Sequence, residues 1–553
     1  MNSTEINAEL SFMKIGSKDL TVEGVVFVPG ILELSRMEVF FRVNENHMVS
    51  CKTCRIRLKD KVLEGKTVIS AIGFVGTVAD YVQYSALRIS FCLKANIIMI
   101  DNIPIVTGRF FPVSSLFKHS YAFKDGYVFS VKGYSICVTR AGLMEYFKRE
   151  ILFITELLCS KKRHNVKAIT ARCFYHVARV FKRKEIWLIS DRINKADDNG
   201  EALFKYLNEK KVPENLFFII REDSVDFEDI KKYGKVIVYN SVKRLLFHLL
   251  ADAVVSSNGD AYAYNPFGKY TVYFSDIIYR QKHVFLQHGV VHNDLSWWLN
   301  KYSKNFSMVV TSAVPEYKAF LAQGYYYDKN VIKLTGLARY DRLFDDRKKI
   351  ITIMPTWRSN LIDSSKRSSY SLDGKHRYDP VHFMNTEYFR FYNSLLNDER
   401  LLEKANEHGF LIQFMPHPNI IPYIDWFRKN ERVQFCSVAT KYRQIFAESA
   451  LVVTDYSSVA FDFAYLRKPV LYCQFDKAEF FSKHIFSEGY FDYERDGFGE
   501  VTYNRKDTVE QIIEYMENDC ALKKVYKDRI DRFFPFHDKN NCQRIYETIK
   551  SLD

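Results

Sequence analysis

No run of about eighteen consecutive apolar residues occurs in the 553-residue chain, so no helix able to cross a bilayer is expected. A charged start followed by a hydrophobic core is also missing, which argues against a signal peptide and for a cytoplasmic protein. Cysteine is scattered. Of the ten, only Cys51 and Cys54 lie close together, and without a second pair or histidines at zinc spacing they are read as metal-free reduced thiols. Glycine-rich phosphate loops are absent too. There is no Walker lysine pattern, no GxGxxG and no kinase signature set, which removes the familiar routes to ATP chemistry and hydride transfer.

Acidic residues are in the minority: 80 Lys and Arg face 66 Asp and Glu, a formal charge of +14. That balance favours anionic partners such as a phospholipid surface, a nucleotide, a polyphosphate polymer or nucleic acid. The aromatic residues, 16% of the chain, follow strand and helix periodicity and form no stacking platform, so nucleic acid is set aside.

What is present is a succession of three patterns. Residues 1–138 carry short β-type runs, Leu20 to Gly30, Met37 to Val43, Lys66 to Phe74, Ala86 to Lys94 and Tyr127 to Val138, and are expected to form an accessory β domain. Residues 139–184 are expected to be a helical basic connector. There Leu143, Phe147, Ile151, Ile154 and Leu158 share a helical face beside Lys161, Lys162, Arg163, Lys167, Arg172, Arg179, Lys182, Arg183 and Lys184, a combination that suits either an anionic membrane surface or packing on neighbouring helices. From residue 185 apolar strands alternate with amphipathic helices, and the pattern restarts near Lys349. Alternation of this kind predicts two doubly wound parallel-sheet halves, 185–345 and 346–553, facing a cleft. The polar insertion Ser359 to Pro380 has the composition of a loop over that cleft.

Four clusters fall at predicted carboxyl ends of strands, where such folds bind ligands. His288-Gly289 follows the strand His283 to Gln287; imidazole titrates near neutrality and suits proton removal from a hydroxyl. His292 lies four residues on, but the glutamate of a zinc-protease pattern is missing and Gly289 stands in its place, so no metal is assigned. His417 sits between Pro416 and Pro418, held by two fixed backbones. Thr356 and Arg358 follow a third strand, and arginine matches phosphate oxygens in forked geometry. The fourth cluster is Thr454-Asp455-Tyr456-Ser457-Ser458, where a strand runs straight into a helix whose start favours anions. A serine there also serves simply as a cap. Converging across one cleft, these groups suit transfer of a phosphoryl-type group.

The strings LQHG, MPTWR, PHPN, VVTDYSSVAFDFAYLRKPVLYCQFD and IWLISDRINKADDNGEALFKYL resemble the CDP-glycerol glycerophosphotransferase family of teichoic acid and capsule polymerases. The resemblance covers Arg183 to Phe534. It implies a GT-B fold, a peripheral habit on the inner face of the cell membrane, and transfer of an alditol phosphate from a CDP-alditol donor to a lipid-linked polymer acceptor with release of CMP. By the same resemblance His288 is the general base, His417 contacts the donor phosphates, and Thr454, Ser457 and Ser458 line the phosphate and ribose pocket with Asp462 near them. Asp455 orients the turn, and Arg358 and Thr356 are carried over as donor-binding. Met415 departs from the family's frequent lysine in that position, which bears on donor identity. No cofactor is required by this reading, and a divalent-cation requirement is left open. The alternatives are a CDP-ribitol ribitolphosphotransferase, a GT-B glycosyltransferase using a nucleotide sugar, and a non-catalytic polyanion-binding scaffold.

Overall fold

In the computed structural model the described residues are 6–552 without 29–36, 46, 57–61, 64–65, 68–69, 96–97, 161, 323, 359–360, 362–379, 438–439 and 484–487. Most of the Ser359 to Pro380 insertion, together with Lys161, therefore lies outside the described residues. The first part of the chain is two β-sheets packed face to face. One runs in the order Ile105–Thr107, Asn7–Ile15, Leu20–Val28, Ser70–Val78, Lys52–Ile56; the other runs Ala122–Lys124, Tyr127–Lys132, Ser135–Arg140, Ala86–Ala95, Met37–Val43, His47–Ser50. Met37, Val39, Phe41 and Val43 are buried while Glu38 is exposed, the period of two that a half-buried strand requires. Phe41 joins the layers, its ring 5.0 Å from Phe91 and 6.0 Å from Phe74. The expected run Tyr127 to Val138 is instead a hairpin. It turns at Gly133, whose φ of 58° suits a residue without a Cβ.

Two helices follow, Leu143–Cys159 and Arg163–Phe181. The first buries Glu150, Phe153 and Leu157, while Leu143, Phe147, Ile151 and Leu158 face outward and Ile154 is half-buried. The helix thus anchors itself through one stripe and leaves a second apolar stripe uncovered. Arg172, expected among the basic stretch, is fully buried: it bonds Glu150 at 2.6 Å and Asp276 at 2.8 Å and ties this pair of helices to the short helix Ser275–Ile278 of the half that follows.

That sheet is all parallel, in the order Lys235–Val238, Asn215–Ile220, Ile186–Ser190, Ala253–Ser256, Lys282–Phe285, Met308–Thr311, Ile332–Leu334. A second parallel sheet runs Val433–Phe435, Leu411–Phe414, Ile350–Ile353, Leu451–Thr454, Val470–Cys473, Val501–Thr502. In each, strand order reverses beside the first strand, which opens a crevice at the carboxyl edge. The strands read as continuous apolar runs because both faces are covered; Leu451, Val452, Val453 and Thr454 are all buried. The helix Asn541–Ser551 then crosses back to the first sheet. Asn541 and Cys542 donate their amides to Asp341 at 2.9 and 2.7 Å, and Lys550 pairs with Glu214 at 2.8 Å.

Candidate active site

Beyond the strand Lys282–Phe285, Gln287 adopts left-handed backbone, φ 64°, which costs a residue with a Cβ about 1–3 kcal/mol. Its surroundings impose that conformation. The buried amide donates to the Val310 carbonyl at 2.6 Å and to Glu316 at 2.9 Å, and the Gln287 carbonyl accepts from Asn199 Nδ2 at 2.8 Å. The turn swings His288 off the sheet, where its imidazole is more than half exposed. Nδ1 meets Asp198 Oδ2, and Nε2 lies 3.0 Å from Arg192 Nη2. A carboxylate on Nδ1 holds the proton there and leaves the Nε2 lone pair as acceptor.

Asp198 owes its position to the helix Asn199–Glu209, whose N-terminus it caps by accepting from the Asn199 amide at 2.8 Å. Its Oδ1 also accepts from Arg339 Nη1 at 2.7 Å. Arg339 in turn donates from Nε and Nη2 to the two oxygens of Asp462, each at 2.9 Å, and from Nη1 to the His288 carbonyl. Burial by itself raises the Asp198 carboxyl, but the attraction of His288 and Arg339 overcomes it and holds the group down at about 2. Asp462 shifts upward, because burial there outweighs the pull of Arg339. A chain of paired side chains, largely buried from Asp198 onward, therefore runs from His288 in the first half to Asp462 in the second.

In the second half the strand ends divide their side chains between cleft and interior. Asp455 is fully buried and accepts from the amides of Thr356 at 2.8 Å and Tyr456 at 2.7 Å. It pins two strand ends together. Arg358 differs from the expectation that it grips a diphosphate: its guanidinium is buried, 2.8 Å from Asp455 and 2.7 Å from Asp476, with Nη1 donating to the Thr356 carbonyl at 2.7 Å. Thr454 also turns inward, donating its hydroxyl to the Met354 carbonyl at 2.7 Å. Ser457 and Ser458 are half-buried at the turn before the helix Val459–Tyr465. Ser457 Oγ accepts from the Val459 amide at 3.4 Å, a loose cap, and Ser458 makes no capping bond.

One cavity of about 450 Å³ gathers residues of both halves. His288, His417, Thr356, Ser457, Ser458 and Asp462 line it; Arg358, Thr454 and Asp455 do not. His417 follows the strand Leu411–Phe414, its Nδ1 accepting from the Asn419 amide at 3.2 Å and its ring 6.1 Å from Trp357. The Thr356 hydroxyl is buried and has no hydrogen-bond partner among the described residues. His292 also lines the cavity but is buried, its Nε2 3.2 Å from the Tyr456 carbonyl and 3.1 Å from the Tyr493 hydroxyl, and burial pushes it down to about 4. It packs the halves together. Asp198, Arg192, Arg339, Tyr442 and Arg443 also line the cavity and were not among the expected site residues. For Asp198 a signal existed, an Asp-Asn-Gly start ahead of an amphipathic helix.

The family model described as CDP-glycerol:poly(glycerophosphate) glycerophosphotransferase matches residues 171–551. The chain is 40% identical over 455 residues to the minor teichoic acid biosynthesis protein GgaB of Bacillus subtilis (strain 168), covering 80% of this chain and 49% of that protein. It is 24% identical over 264 residues to a teichoic acid glycerol-phosphate transferase of Staphylococcus aureus (strain NCTC 8325 / PS 47), covering 43% of this chain and 59% of that one. The chain thus spans about half the length of the first of these relatives. A solved variant of the wall teichoic acid polymerase TagF superposes with a TM-score of 0.51 at 16% identity, covering 74% of this chain and 98% of that chain. That likeness shows the fold, the GT-B arrangement of two facing halves behind a β-rich region.

Proposed function

Because the chain belongs to the CDP-glycerol:poly(glycerophosphate) glycerophosphotransferase family, we propose that it transfers an alditol phosphate, glycerol phosphate foremost, from a CDP-activated donor to a hydroxyl of a teichoic-acid-like polymer. The observation that carries this reading is the shared cavity, in which an Asp-paired imidazole from one half faces the His417, Thr356 and Ser457-Ser458 edge of the other. In the reaction, the acceptor hydroxyl oxygen attacks the β-phosphorus of the donor while its proton passes to His288 Nε2. The bond from that phosphorus to the bridging oxygen breaks, and CMP leaves with the electron pair. Asp198 balances the imidazolium that forms, as a buried carboxylate does for a catalytic histidine elsewhere. The unpartnered Thr356 hydroxyl, Ser457, Ser458 and His417 supply donors to the diphosphate.

In this reading residues 185–345 form the acceptor side and 346–553 the donor side, with 1–138 and 139–184 as accessory parts. The outward stripe of Leu143, Phe147, Ile151 and Leu158, beside Lys162, Arg163 and Lys167, supports contact with an anionic membrane surface, where a lipid-linked acceptor is presented. Among the described residues no helix is long and apolar enough to cross a membrane. The test of the reaction is a donor panel: CDP-glycerol, CDP-ribitol and UDP-sugars with a lipid-linked acceptor, following which nucleotide appears. CMP from a CDP-alditol is expected. UDP release alone would replace the proposal with sugar transfer.

A further inference from the structure

Arg192 stands on the lone pair that an attacking hydroxyl has to reach, its Nη2 3.0 Å from His288 Nε2. Arg192 therefore occupies the base. Arg192 also belongs to a group of cations drawn from both halves. Arg192 and Lys195 follow the strand Ile186–Ser190 of the first sheet, whereas Lys441 and Arg443 sit at the start of the helix Tyr442–Glu448 of the second. Tyr442 lies between them, its ring 5.3 Å from Lys195 Nζ, and both Tyr442 and Arg443 line the cavity with Arg192. Asp197 lines the same cavity, and Lys195, Lys441 and Arg443 each attract its buried carboxyl. None of the four cations is in an ion pair among the described residues. Cations from separate halves that meet at a cleft outside any ion pair form a field that concentrates an anion.

Resting on the proposed transferase reading, we infer that this basic rim is the subsite for a phosphodiester of the acceptor, the one next to the attacking hydroxyl, and that Arg192 is a positioning residue which leaves the imidazole for it. A bond between guanidinium and phosphate is ionised on both sides and forked. It is stronger than a single bond from the same group to a neutral imidazole. An acceptor that already carries a phosphodiester thus draws Arg192 away and uncovers Nε2. One with only a bare alditol end has to displace the guanidinium unaided. Arg192 is accordingly the group that discriminates between the two acceptor ends.

The experiment uses the full chain, CDP-glycerol and two soluble acceptors on the same alkyl tail, one ending in a glycerol-phosphate unit and one in a bare alditol, with CMP release followed at several acceptor and donor concentrations. Wild type is expected to favour the phosphodiester acceptor by about 10–100-fold in kcat/KM, the value of one or two charge-assisted hydrogen bonds. Arg192→Gln should bring that ratio close to one. Lys441→Ala with Arg443→Ala should raise the acceptor KM while leaving the donor KM in place, and Arg192→Lys, the control for folding, should keep much of the preference. An unchanged ratio in Arg192→Gln, or a rise in donor KM instead of acceptor KM, overturns the inference while the transferase reading stands. No CMP from wild type with either acceptor overturns both.

Discussion

Gly289 and Ser458 touch across the cleft: a Cβ on Gly289 would lie 3.0 Å from Ser458 Oγ and 3.4 Å from Ser458 Cβ. The two halves thus meet beside the proposed base, with no side chain between them on the first-half side. Gly289→Ala is expected to hold the halves apart by a few tenths of an ångström and to lower kcat/KM by about tenfold, within the usual coupling range for residues in contact. Combined with Ser458→Gly, which makes room, the loss should be smaller than the product of the two single losses. Strict additivity in CMP-release rates would contradict the contact.

Asp198 fixes both the tautomer and the direction of His288. Asp198→Asn is expected to lower kcat by about 10²–10⁴-fold, as changes to such a pair do, with the donor KM little altered. His288→Ala should lose a comparable factor, and His417→Ala about 10²–10³-fold as a lost charge stabiliser. CMP-release kinetics on protein shown to be folded by its melting curve measure each. Near-normal turnover in Asp198→Asn would sink the pairing as a catalytic device.

Arg358 separates a binding role from a structural one. Because it is buried between Asp455 and Asp476, Arg358→Ala leaves two carboxylates without their cation and should cost about 3–5 kcal/mol of stability. A thermal or urea melt reads that directly. A variant that melts like wild type yet binds donor poorly would restore the phosphate-gripping role.

Asp191 makes stability fall with pH. Burial, and secondarily the Asp198 charge, pushes its carboxyl up to about 8, whereas an unfolded aspartate titrates near about 3.9. Between those values the native state holds a proton that the unfolded chain has released, so stability declines as pH rises through that window. Asp191→Asn loses one acceptor and starts lower, but its melting temperature should drop less between pH 5 and pH 8 than that of wild type. Parallel curves would remove Asp191 as the cause.

The uncovered stripe on the helix Leu143–Cys159 predicts membrane association. Phe147→Glu with Ile151→Glu, both outward-facing, should reduce flotation with vesicles containing phosphatidylglycerol while turnover of a soluble acceptor persists. Equal flotation of wild type and variant would leave the stripe without that role.

The sheet halves were readable because their strands are continuous apolar runs punctuated by polar clusters, and Val452-Val453 before Thr454-Asp455 does end a strand where expected. Position at a strand end was legible; direction was not. Beyond the last strand residue the chain turns and strict alternation ends, so Thr454, Asp455 and Arg358 turn into the protein while Ser457, Ser458 and Thr356 reach the cavity. Asp198 lies 90 residues from His288, and a local pattern reports only its capping role. Arg339 and Arg192 likewise gain their meaning from partners that only the folded chain supplies.

The polypeptide passes between the halves twice, at 343–349 and again at 534–540, and the passages are neighbours: Tyr340 stacks edge-on against Phe534 at 6.1 Å while Asp341 receives the amide of Asn541. Two pins side by side make a door hinge, which permits swing about one line and resists sliding or twisting. Removing the helix Asn541–Ser551 would withdraw one pin without disturbing any reacting group, and the door would still shut, but out of true with its frame.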